Sequence, residues 1–396
     1  MSNALRRVVA SGFRSLQKVD VRFGPFSVLV GPNGSGKSNL LKVLSFIRDS
    51  ARFDPSQAIS LLGGFSHVLR QDGRQGTVSL SIEAVVSEFA SSNALDKYTL
   101  NLTESADGDI ERDEELLYKS VRGRGRRQII RAQGLDVSID DLQQKAGTRQ
   151  QFLRLASDSV SALGTIARLD EGGLGSGPRD FFEFLSTVRY LDPDVNAART
   201  PSRMNRAELH DDASNLASAL YALSEASPDA FDALQRDLAR CLPGMESLGF
   251  GVIGGAAASI VVQLQERGVI QPIELADASF GTVRLLALLT ALHDPAPPQL
   301  TIIEEIDHGL HPYALDVLVE RMREASSRTQ IIVASHSPTL VNRLRPEEII
   351  ICDRDPDTGA SIIPVVDSAD VADAVADSEW RLGELWFSGA LGGVPA

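Results

Sequence analysis

The sequence predicts an α/β fold, and three apolar stretches that each end in polar residues support this prediction. The first, residues 26–30, leads into the glycine-rich segment 31–38, and residues 39–47 then show the apolar spacing of a helix. The second and third, residues 300–303 and 330–334, end in two glutamates and in a serine and a histidine. Since α/β sheets bind ligands at the carboxyl ends of their strands, these motifs predict a site at that edge.

Residues 31–38 read Gly-Pro-Asn-Gly-Ser-Gly-Lys-Ser, which is a complete phosphate-binding loop. Its glycines let backbone N–H groups converge on phosphate oxygens, and the following helix adds the positive end of its dipole. We expect Lys37 to reach the β- and γ-phosphates and the Ser38 hydroxyl to hold Mg²⁺. The sequence therefore predicts that ATP binds through Gly31, Pro32, Asn33, Gly34, Ser35, Gly36, Lys37, Ser38 and Asn39.

Composition places the chain among ordinary globular proteins. Of its 396 residues, 43% are hydrophobic, which is enough for a substantial core. The net charge of −14 disfavours non-specific coating of DNA. Two cysteines that are far apart fit a reducing compartment, and residues 1–7 lack the apolar core of a signal peptide. No apolar run is long enough to span a bilayer, so we expect a cytoplasmic protein without a membrane partner.

Periodicity predicts the elements between the motifs. Residues 8–30 read as two strands that lead into the phosphate-binding loop, and residues 77–139 alternate as an antiparallel meander does. From 141 to 240 the apolar period becomes helical. The clearest later elements are helices at 211–224, 229–242, 282–293 and 313–326 and hairpins formed by 259–264 with 269–275 and by 349–352 with 361–366.

The strand at residues 300–303 ends in Glu304 and Glu305. Hydrolysis of a phosphoanhydride needs one carboxylate for the Mg²⁺ shell and another that polarises water. We assign Glu304 to Mg²⁺, together with Ser38, and Glu305 to catalysis. The alternative is a solvated strand end, because acidic pairs are common, but the flanking motifs favour the functional assignment. His336, at the end of the next apolar strand, is the second predicted catalytic residue and is expected to donate to the γ-phosphate.

As a set, these motifs resemble the ABC-type ATPase heads of the RecF/SMC class and, more closely, the compact AAA-family ATPases of bacterial anti-phage defence loci. The segments that carry the resemblance are 12–16, 31–38, 279–284, 303–312 and 334–338. The resemblance implies an ABC-type P-loop head of two lobes. It also implies that Ser279 and Gly281 cap the ATP bound by a second subunit, and that Arg14 lies near the nucleotide.

The chain departs from the family pattern at two positions and in its insertion. Phe280 stands where a small or acidic residue is usual, and Glu304 where Asp is frequent. The class often carries a long coiled coil, but this chain lacks the heptads for one. The Mg²⁺-sensing glutamine of relatives has no clear counterpart; Gln57 and Gln71 are candidates.

The expected organisation places both ends of the chain in one ATPase head. Residues 1–70 form its N-terminal part, and residues 71–270 form a compact insertion with an antiparallel β part followed by a helical part. Residues 271–366 complete the head with the signature, the carboxylate strand and the histidine. Residues 367–396 form a C-terminal tail.

The resemblance implies a slow ATPase that works as a homodimer, in which ATP closes two heads and hydrolysis releases them. Our leading hypothesis is a switch that regulates a separate effector protein in anti-phage defence. The alternative is a RecF-like repair protein whose ATP-closed dimer clamps DNA. The basic run at 122–127 leaves nucleic acid open as a partner, although a solvated hairpin turn explains it equally well. Trp386, in the apolar end of the chain, belongs either to the core or to a docking surface for the effector.

Overall fold

A computed structural model describes residues 4–71, 76–105, 107–119, 126–140, 150–169, 176–204, 208–254 and 258–393. Most of the basic run, residues 122–125, lies outside these ranges, so the predicted contact with nucleic acid there stays a prediction. No helix within these ranges combines the length and the apolar character needed to cross a membrane.

The strands, in chain order, are β1 (Ala4–Phe13), β2 (Leu16–Arg22), β3 (Phe26–Val30), β4 (Thr77–Val85), β5 (Asp96–Glu104), β6 (Ile110–Lys119), β7 (Arg126–Gln133), β8 (Asp136–Asp140), β9 (Gln150–Arg154), β10 (Arg189–Leu191), β11 (Ser202–Arg203), β12 (Met245–Ile253), β13 (Ser259–Glu266), β14 (Ile273–Glu274), β15 (Leu300–Ile303), β16 (Gln330–Ser335), β17 (Ile349–Ile351), β18 (Asp353–Arg354) and β19 (Ser361–Ile362).

The α-helices are α1 (Lys37–Arg52), α2 (Pro55–Leu61), α3 (Phe65–Val68), α4 (Ala162–Arg168), α5 (Ser176–Ser186), α6 (Val195–Ala198), α7 (Leu216–Ala226), α8 (Pro228–Cys241), α9 (Phe280–Leu292), α10 (Pro312–Ala325), α11 (Pro338–Val341), α12 (Ser368–Ala376) and α13 (Leu382–Phe387). In the described ranges the longest of them, α1, has 16 residues, so no long coiled coil is present there.

A parallel sheet of five strands, in the order β10-β15-β16-β3-β17, carries the predicted motifs. Every residue of β3, β15, β16 and β17 is buried, which explains why these strands are continuous apolar runs in the sequence. In the register, Ile303 lies beside Val333, and Ser335 lies beside Val30. The phosphate-binding loop, the two glutamates and His336 therefore leave the sheet at one edge.

The second large sheet is antiparallel, with eight strands in the order β2-β1-β4-β5-β6-β7-β8-β9. It contains the predicted meander, but the meander continues from the beginning of the chain, because β4 pairs with β1 and Val8 lies opposite Ile82. Strands of the predicted insertion and of the predicted head thus share one sheet. The domain boundary at residue 71 stays a prediction.

The helical prediction for residues 141–240 was wrong where three strands interrupt it. Strands β9, β10 and β11 lie in this segment, and the last two have only three and two residues. Such short strands show no period of their own, and tertiary pairing forms them. The four clearest predicted helices correspond to α7, α8, α9 and α10 within a few residues.

Both predicted hairpins differ from the observed pairing. Strand β13 pairs mainly with β12, which precedes it, and β14 adds only two residues. In the C-terminal hairpin, β18 pairs with β19, whereas β17 joins the parallel sheet beside β3.

Alternate side chains of β3 enter two separate hydrophobic cores. Val28 lies in the cluster that contains most of the apolar side chains of α9 and α10. Leu29 lies in the cluster formed by α1 and the buried face of the antiparallel sheet. The central strand is therefore fixed from both faces, and so is the loop that follows it.

Trp386 belongs to the core and is not a docking residue. Its side chain is 3% exposed, and its indole Nε1 donates to the carbonyl oxygen of Gly393 at 3.2 Å. Glycines with positive φ at 389, 392 and 393 turn the chain back, which brings this carbonyl to the ring. The docking alternative for Trp386 was wrong because these turns were not recognised.

Candidate functional site

The phosphate-binding loop connects β3 to α1, and its geometry requires glycine at position 36. Gly36 has φ of 100°, and a Cβ there would lie 2.0 Å from the Ser361 hydroxyl oxygen. Helix α1 begins at the next residue, Lys37, so the free N–H groups of its first turn face the loop.

The side chain of Lys37 folds back over the phosphate-binding loop. Its Nζ donates to the carbonyl oxygens of Gly31 at 2.7 Å and Pro32 at 2.9 Å. Burial lowers the pKa of the Lys37 ammonium, while the carboxylates of Asp307, Glu305 and Glu304 oppose that shift. A buried cation beside acidic groups is poised to exchange carbonyl oxygens for those of a phosphate.

One cavity of about 270 Å³ joins the phosphate-binding loop to the ends of the parallel strands. It is lined by Asn33, Gly34, Gly36, Lys37, Ser38, Asn39, Glu305, Ala334, Ser335 and His336. The structure thus brings most of the predicted loop together with both predicted catalytic residues. The lining includes neither Glu304, nor Arg14, nor the signature residues.

Glu304 is tied to the neighbouring strand. Its side chain is largely buried, and its backbone N–H donates to the carbonyl oxygen of Leu191 at 3.1 Å. The hydroxyl of Tyr190 donates to Glu304 Oε1 at 2.5 Å. Burial and the charge of Glu304 raise the pKa of Tyr190, so the hydroxyl keeps its proton at neutral pH and remains a donor.

Glu305 has a left-handed backbone conformation, with φ of 45°, and a half-exposed side chain. A non-glycine residue in this region costs about 1–3 kcal/mol and needs support from its surroundings. Arg284 of α9 supplies that support. Its Nη2 donates to the carbonyl oxygens of Glu304 at 2.8 Å and Glu305 at 2.9 Å. Its Nη1 donates to the carbonyl oxygen of Pro193 at 3.3 Å.

The signature residues form the start of α9. The Ser279 hydroxyl caps the helix by accepting from the Thr282 N–H at 3.2 Å, and the residue remains exposed. A Cβ on Gly281 would lie 2.5 Å from the carbonyl oxygen of Gly309. Only glycine therefore lets the helix start pack against the turn that follows the glutamates.

Phe280, the unusual signature residue, connects the signature to Glu305. Its ring lies 5.2 Å from the His308 ring, measured between centroids. His308 Nδ1 lies 3.5 Å from Glu305 Oε2. His308 thus links Phe280 to the predicted catalytic carboxylate of the same chain.

Sequence reasoning missed four residues of this region, namely Tyr190, Arg284, Asp307 and Ser335. The Ser335 hydroxyl donates to Asp307 Oδ1 at 2.6 Å, and His336 Nε2 lies 3.8 Å from Asp307 Oδ2. Asp307, Ser335 and Arg284 stand within the recognised motifs, so their position was a signal for a role. Tyr190 gave no such signal, because it lies in a strand of three residues.

Arg14 adopts φ of 49° in the turn between β1 and β2, and its Nε donates to the carbonyl oxygen of His67 at 3.1 Å. The adjacent Ser15 hydroxyl accepts from Asn39 Nδ2 at 2.7 Å. This turn therefore touches the first turn of α1, directly after the phosphate-binding loop, and a role for Arg14 at the nucleotide stays a prediction.

Residues 26–342, most of the chain, match the AAA_21 family, which is described as "AAA domain, putative AbiEii toxin, Type IV TA system". The chain belongs to the AAA_21 family. The predicted identification as an ABC-type, SMC-like P-loop ATPase is confirmed by this match, and the similar structures below show the same fold.

Two similar structures show the fold of this AAA_21 protein. One is the SmcHead bound to the C-winged helix domain of ScpA, with a TM-score of 0.55, 15% identity, and coverage of 91% of this chain and 96% of that chain. The other is an Smc head domain with an extended coiled coil, bound to the C-terminal domain of ScpA, from Pyrococcus furiosus. Its TM-score is 0.54 at 14% identity, with coverage of 95% of this chain and 99% of that chain. The predicted fold class is confirmed.

The AAA_21 protein is also similar to an OLD nuclease from Thermus scotoductus. The alignment is 30% identical over 71 residues, and its coverage is 14% of this chain and 13% of that protein. The chain therefore matches only a small part of the length of this relative.

Proposed function

We propose that this chain is an ATP-hydrolysing switch that works as a homodimer and regulates a separate effector protein in bacterial anti-phage defence. The observation that carries the proposal is the separation of two surfaces. The phosphate-binding loop, Glu305 and His336 line one cavity, whereas Ser279 is exposed at the start of α9 and is not part of that lining. In the proposed dimer, the second head would bring its signature to the nucleotide.

The residues that line the cavity, together with Glu304 next to Glu305, fit a nucleoside triphosphate with Mg²⁺. Lys37 and the N–H groups at the start of α1 would hold the phosphates. Ser38 and Glu304 would hold Mg²⁺, since hydroxyl and carboxylate oxygens are the ligands that this ion prefers. In the described ranges, the Glu304 carboxylate accepts one hydrogen bond, on Oε1, so Oε2 keeps its capacity for a ligand. Bound Mg²⁺ would neutralise charge on the β- and γ-phosphates.

Glu305 is proposed to polarise the attacking water. Its half-exposed carboxylate lines the cavity, and its backbone is fixed by Arg284. His336 lies on the same cavity wall, where its ring is placed to donate to a γ-phosphate and to orient the water. The strained backbone at Glu305 supports a functional role, because such strain persists where the surroundings demand it.

The proposed partner is a second copy, joined by a separate effector. Two Smc heads with this fold are described as bound to a domain of ScpA, so heads of this fold can dock another protein. The contact from Phe280 through His308 to Glu305 would let the signature surface respond to the state of the catalytic carboxylate.

The shared site is tested with two inactive variants. Ser279→Arg places a bulky cation on the contact surface and keeps the phosphate-binding loop intact. Lys37→Ala removes the phosphate-facing cation and keeps the signature intact. Each variant alone should lack ATPase activity, and a mixture should recover part of it, because the mixed dimer contains one complete site.

The control is Ser56→Arg, which places the same cation on an exposed serine of α2 and should leave ATPase activity at the parental level. If demonstrated mixed dimers show no recovery, the site is not shared between subunits.

The effector is tested by copurification of the neighbouring gene's product with the Glu305→Gln variant, once in the presence of ATP and once in the presence of ADP. Equal absence of association in both nucleotides would contradict the switch.

A further inference from the structure

Tyr190 lies beside the end of the carboxylate strand in a geometry that the sequence did not predict. In the parallel register of β10 and β15, Tyr190 pairs with Ile302 and Leu191 with Ile303. Side chains two residues apart on a strand share a face, so Glu304 continues the face of Ile302. Ile302 lies in the core that α1 covers, and the ring of Tyr190 packs against the same core. The tyrosine and the carboxylate thus face the helix that begins at the phosphate-binding loop.

We propose that Tyr190 is the positioning residue for the Mg²⁺-binding carboxylate, holding Glu304 Oε1 so that Oε2 is left for the metal shell. The hydroxyl donates to Oε1 at 2.5 Å. In the part of the chain that the structure describes, this is the one hydrogen bond that the Glu304 carboxylate accepts. The inference rests on the proposed function, since it takes Glu304 as a metal ligand.

The backbone around the pair is fixed at both strands. The Glu304 N–H donates to the Leu191 carbonyl oxygen at 3.1 Å, which extends the ladder one residue beyond β15. On the other side, Arg48 of α1 donates to the carbonyl oxygen of Val188 at 3.2 Å, directly before β10. Near its C-terminal end, helix α1 therefore contacts the residue before the strand of Tyr190. The first turn of the same helix carries Ser38.

The identity of Glu304 explains why a positioning group is needed. A glutamate has one more rotatable bond than the aspartate that is frequent at this position, and it loses more side-chain entropy when it is fixed. The Tyr190 hydroxyl reduces that freedom before any metal binds. Groups that orient a metal ligand in this way typically change metal affinity by about 10- to 100-fold when they are removed.

The experiment is a Mg²⁺ titration of the binding of a fluorescent, non-hydrolysable ATP analogue to the full chain. Tyr190→Phe should raise the Mg²⁺ concentration at half-saturation by about 10-fold or more. Binding of the analogue in EDTA should be unchanged, because the loop and Lys37 are intact. A merely structural role would shift the melting temperature and leave the Mg²⁺ dependence unchanged.

The matched control is Tyr98→Phe, which removes another buried hydroxyl that donates to a glutamate, Glu114, at 2.7 Å. It should lower the melting temperature and keep the parental Mg²⁺ dependence. The variant Glu304→Asp provides a second test, because the shorter side chain should lose the hydrogen bond from Tyr190. If Tyr190 acts through Glu304, adding Tyr190→Phe to Glu304→Asp should give little further shift.

Ser38→Ala and Glu304→Gln separate failure of this inference from failure of the proposed function. If both shift the Mg²⁺ dependence and Tyr190→Phe does not, the positioning role is wrong and the metal assignment survives. If none of the three shifts it, the metal assignment itself is wrong. Full additivity of the Tyr190→Phe and Glu304→Asp shifts would also overturn the inference.

Discussion

The two large sheets each bury a glutamate that accepts a hydrogen bond from a tyrosine, and the two glutamates differ in what else reaches them. Glu114 of β6 is fully buried and accepts from Tyr98, from the Ser161 hydroxyl at 3.2 Å, and from the backbone N–H groups of Ala162 at 2.6 Å and Leu163 at 3.0 Å. Glu304, at the edge of the parallel sheet, accepts from Tyr190 alone among the described residues.

This difference separates a structural carboxylate from one with capacity for a ligand. Glu114 satisfies the start of α4, and the buried guanidinium of Arg112 lies 3.8 Å from it. Its hydrogen-bonding capacity is used within the fold. Glu304 keeps an oxygen without a partner in the described ranges, near the cation of Lys37. The same pair of residue types therefore serves stability in one sheet and binding in the other.

The largest effect on stability is expected at Glu114. Glu114→Gln replaces an acceptor-only group with an amide whose NH₂ must face buried donors, and it leaves the charge of Arg112 unpaired. We expect a loss of about 3 kcal/mol in the free energy of unfolding. Urea denaturation measures this loss. An unfolding free energy equal to that of the parent would mean that the network is dispensable and would remove the contrast with Glu304.

An intermediate effect is expected at Arg284, which connects the signature helix to the carboxylate turn. Arg284→Lys keeps a charge, but one ammonium cannot bridge the carbonyl oxygens of Glu304, Glu305 and Pro193 as the guanidinium does. We expect a stability loss of about 1–3 kcal/mol and a larger relative fall in ATP hydrolysis than in ATP affinity. Parental turnover in the folded variant would show that the carboxylate turn does not need this clamp.

The smallest effect on stability is expected from Glu304→Gln, the same substitution in the second sheet. The amide oxygen can still accept from Tyr190, so the free energy of unfolding should change by about 1 kcal/mol or less. Mg²⁺-dependent binding of ATP should weaken. Thermal melts with and without Mg²⁺ and ATP separate the two effects. A destabilisation as large as that of Glu114→Gln would make both glutamates structural.

Contiguous motifs made part of this molecule predictable. The phosphate-binding loop, Glu305 and His336 each follow a buried apolar strand, and strands of that kind are recognisable from composition alone. Tyr190 could not be found in this way, because its contact with Glu304 joins residues 114 positions apart in the sequence. The three residues of β10 are too few to show a period, and their partner strand defines them.

Two other features lay beyond the sequence for different reasons. Trp386 was ambiguous because burial in a glycine-rich segment depends on turns whose direction the pattern does not give. The antiparallel sheet that joins β1 to the meander was missed because β1 pairs with a strand on each side, β2 and β4. The alternation of apolar and polar residues in a strand does not indicate which strand lies beside it. Motifs within one short segment could thus be predicted from the sequence, whereas contacts between strands far apart in the sequence could not.

The order of strands in the parallel sheet determines how this protein can fold while it is being synthesised. Strand β3, which carries the phosphate-binding loop, lies between β16 and β17. Both neighbours are made about 300 residues later, so a nascent chain that already contains Lys37 lacks the neighbouring strands of the parallel sheet that holds the phosphate-binding loop. The antiparallel sheet can form much earlier, from β1 to β9. We therefore expect competence to hold a triphosphate only after residues 330–351 have left the ribosome, and an exposed apolar β3 in a chain that is truncated before them.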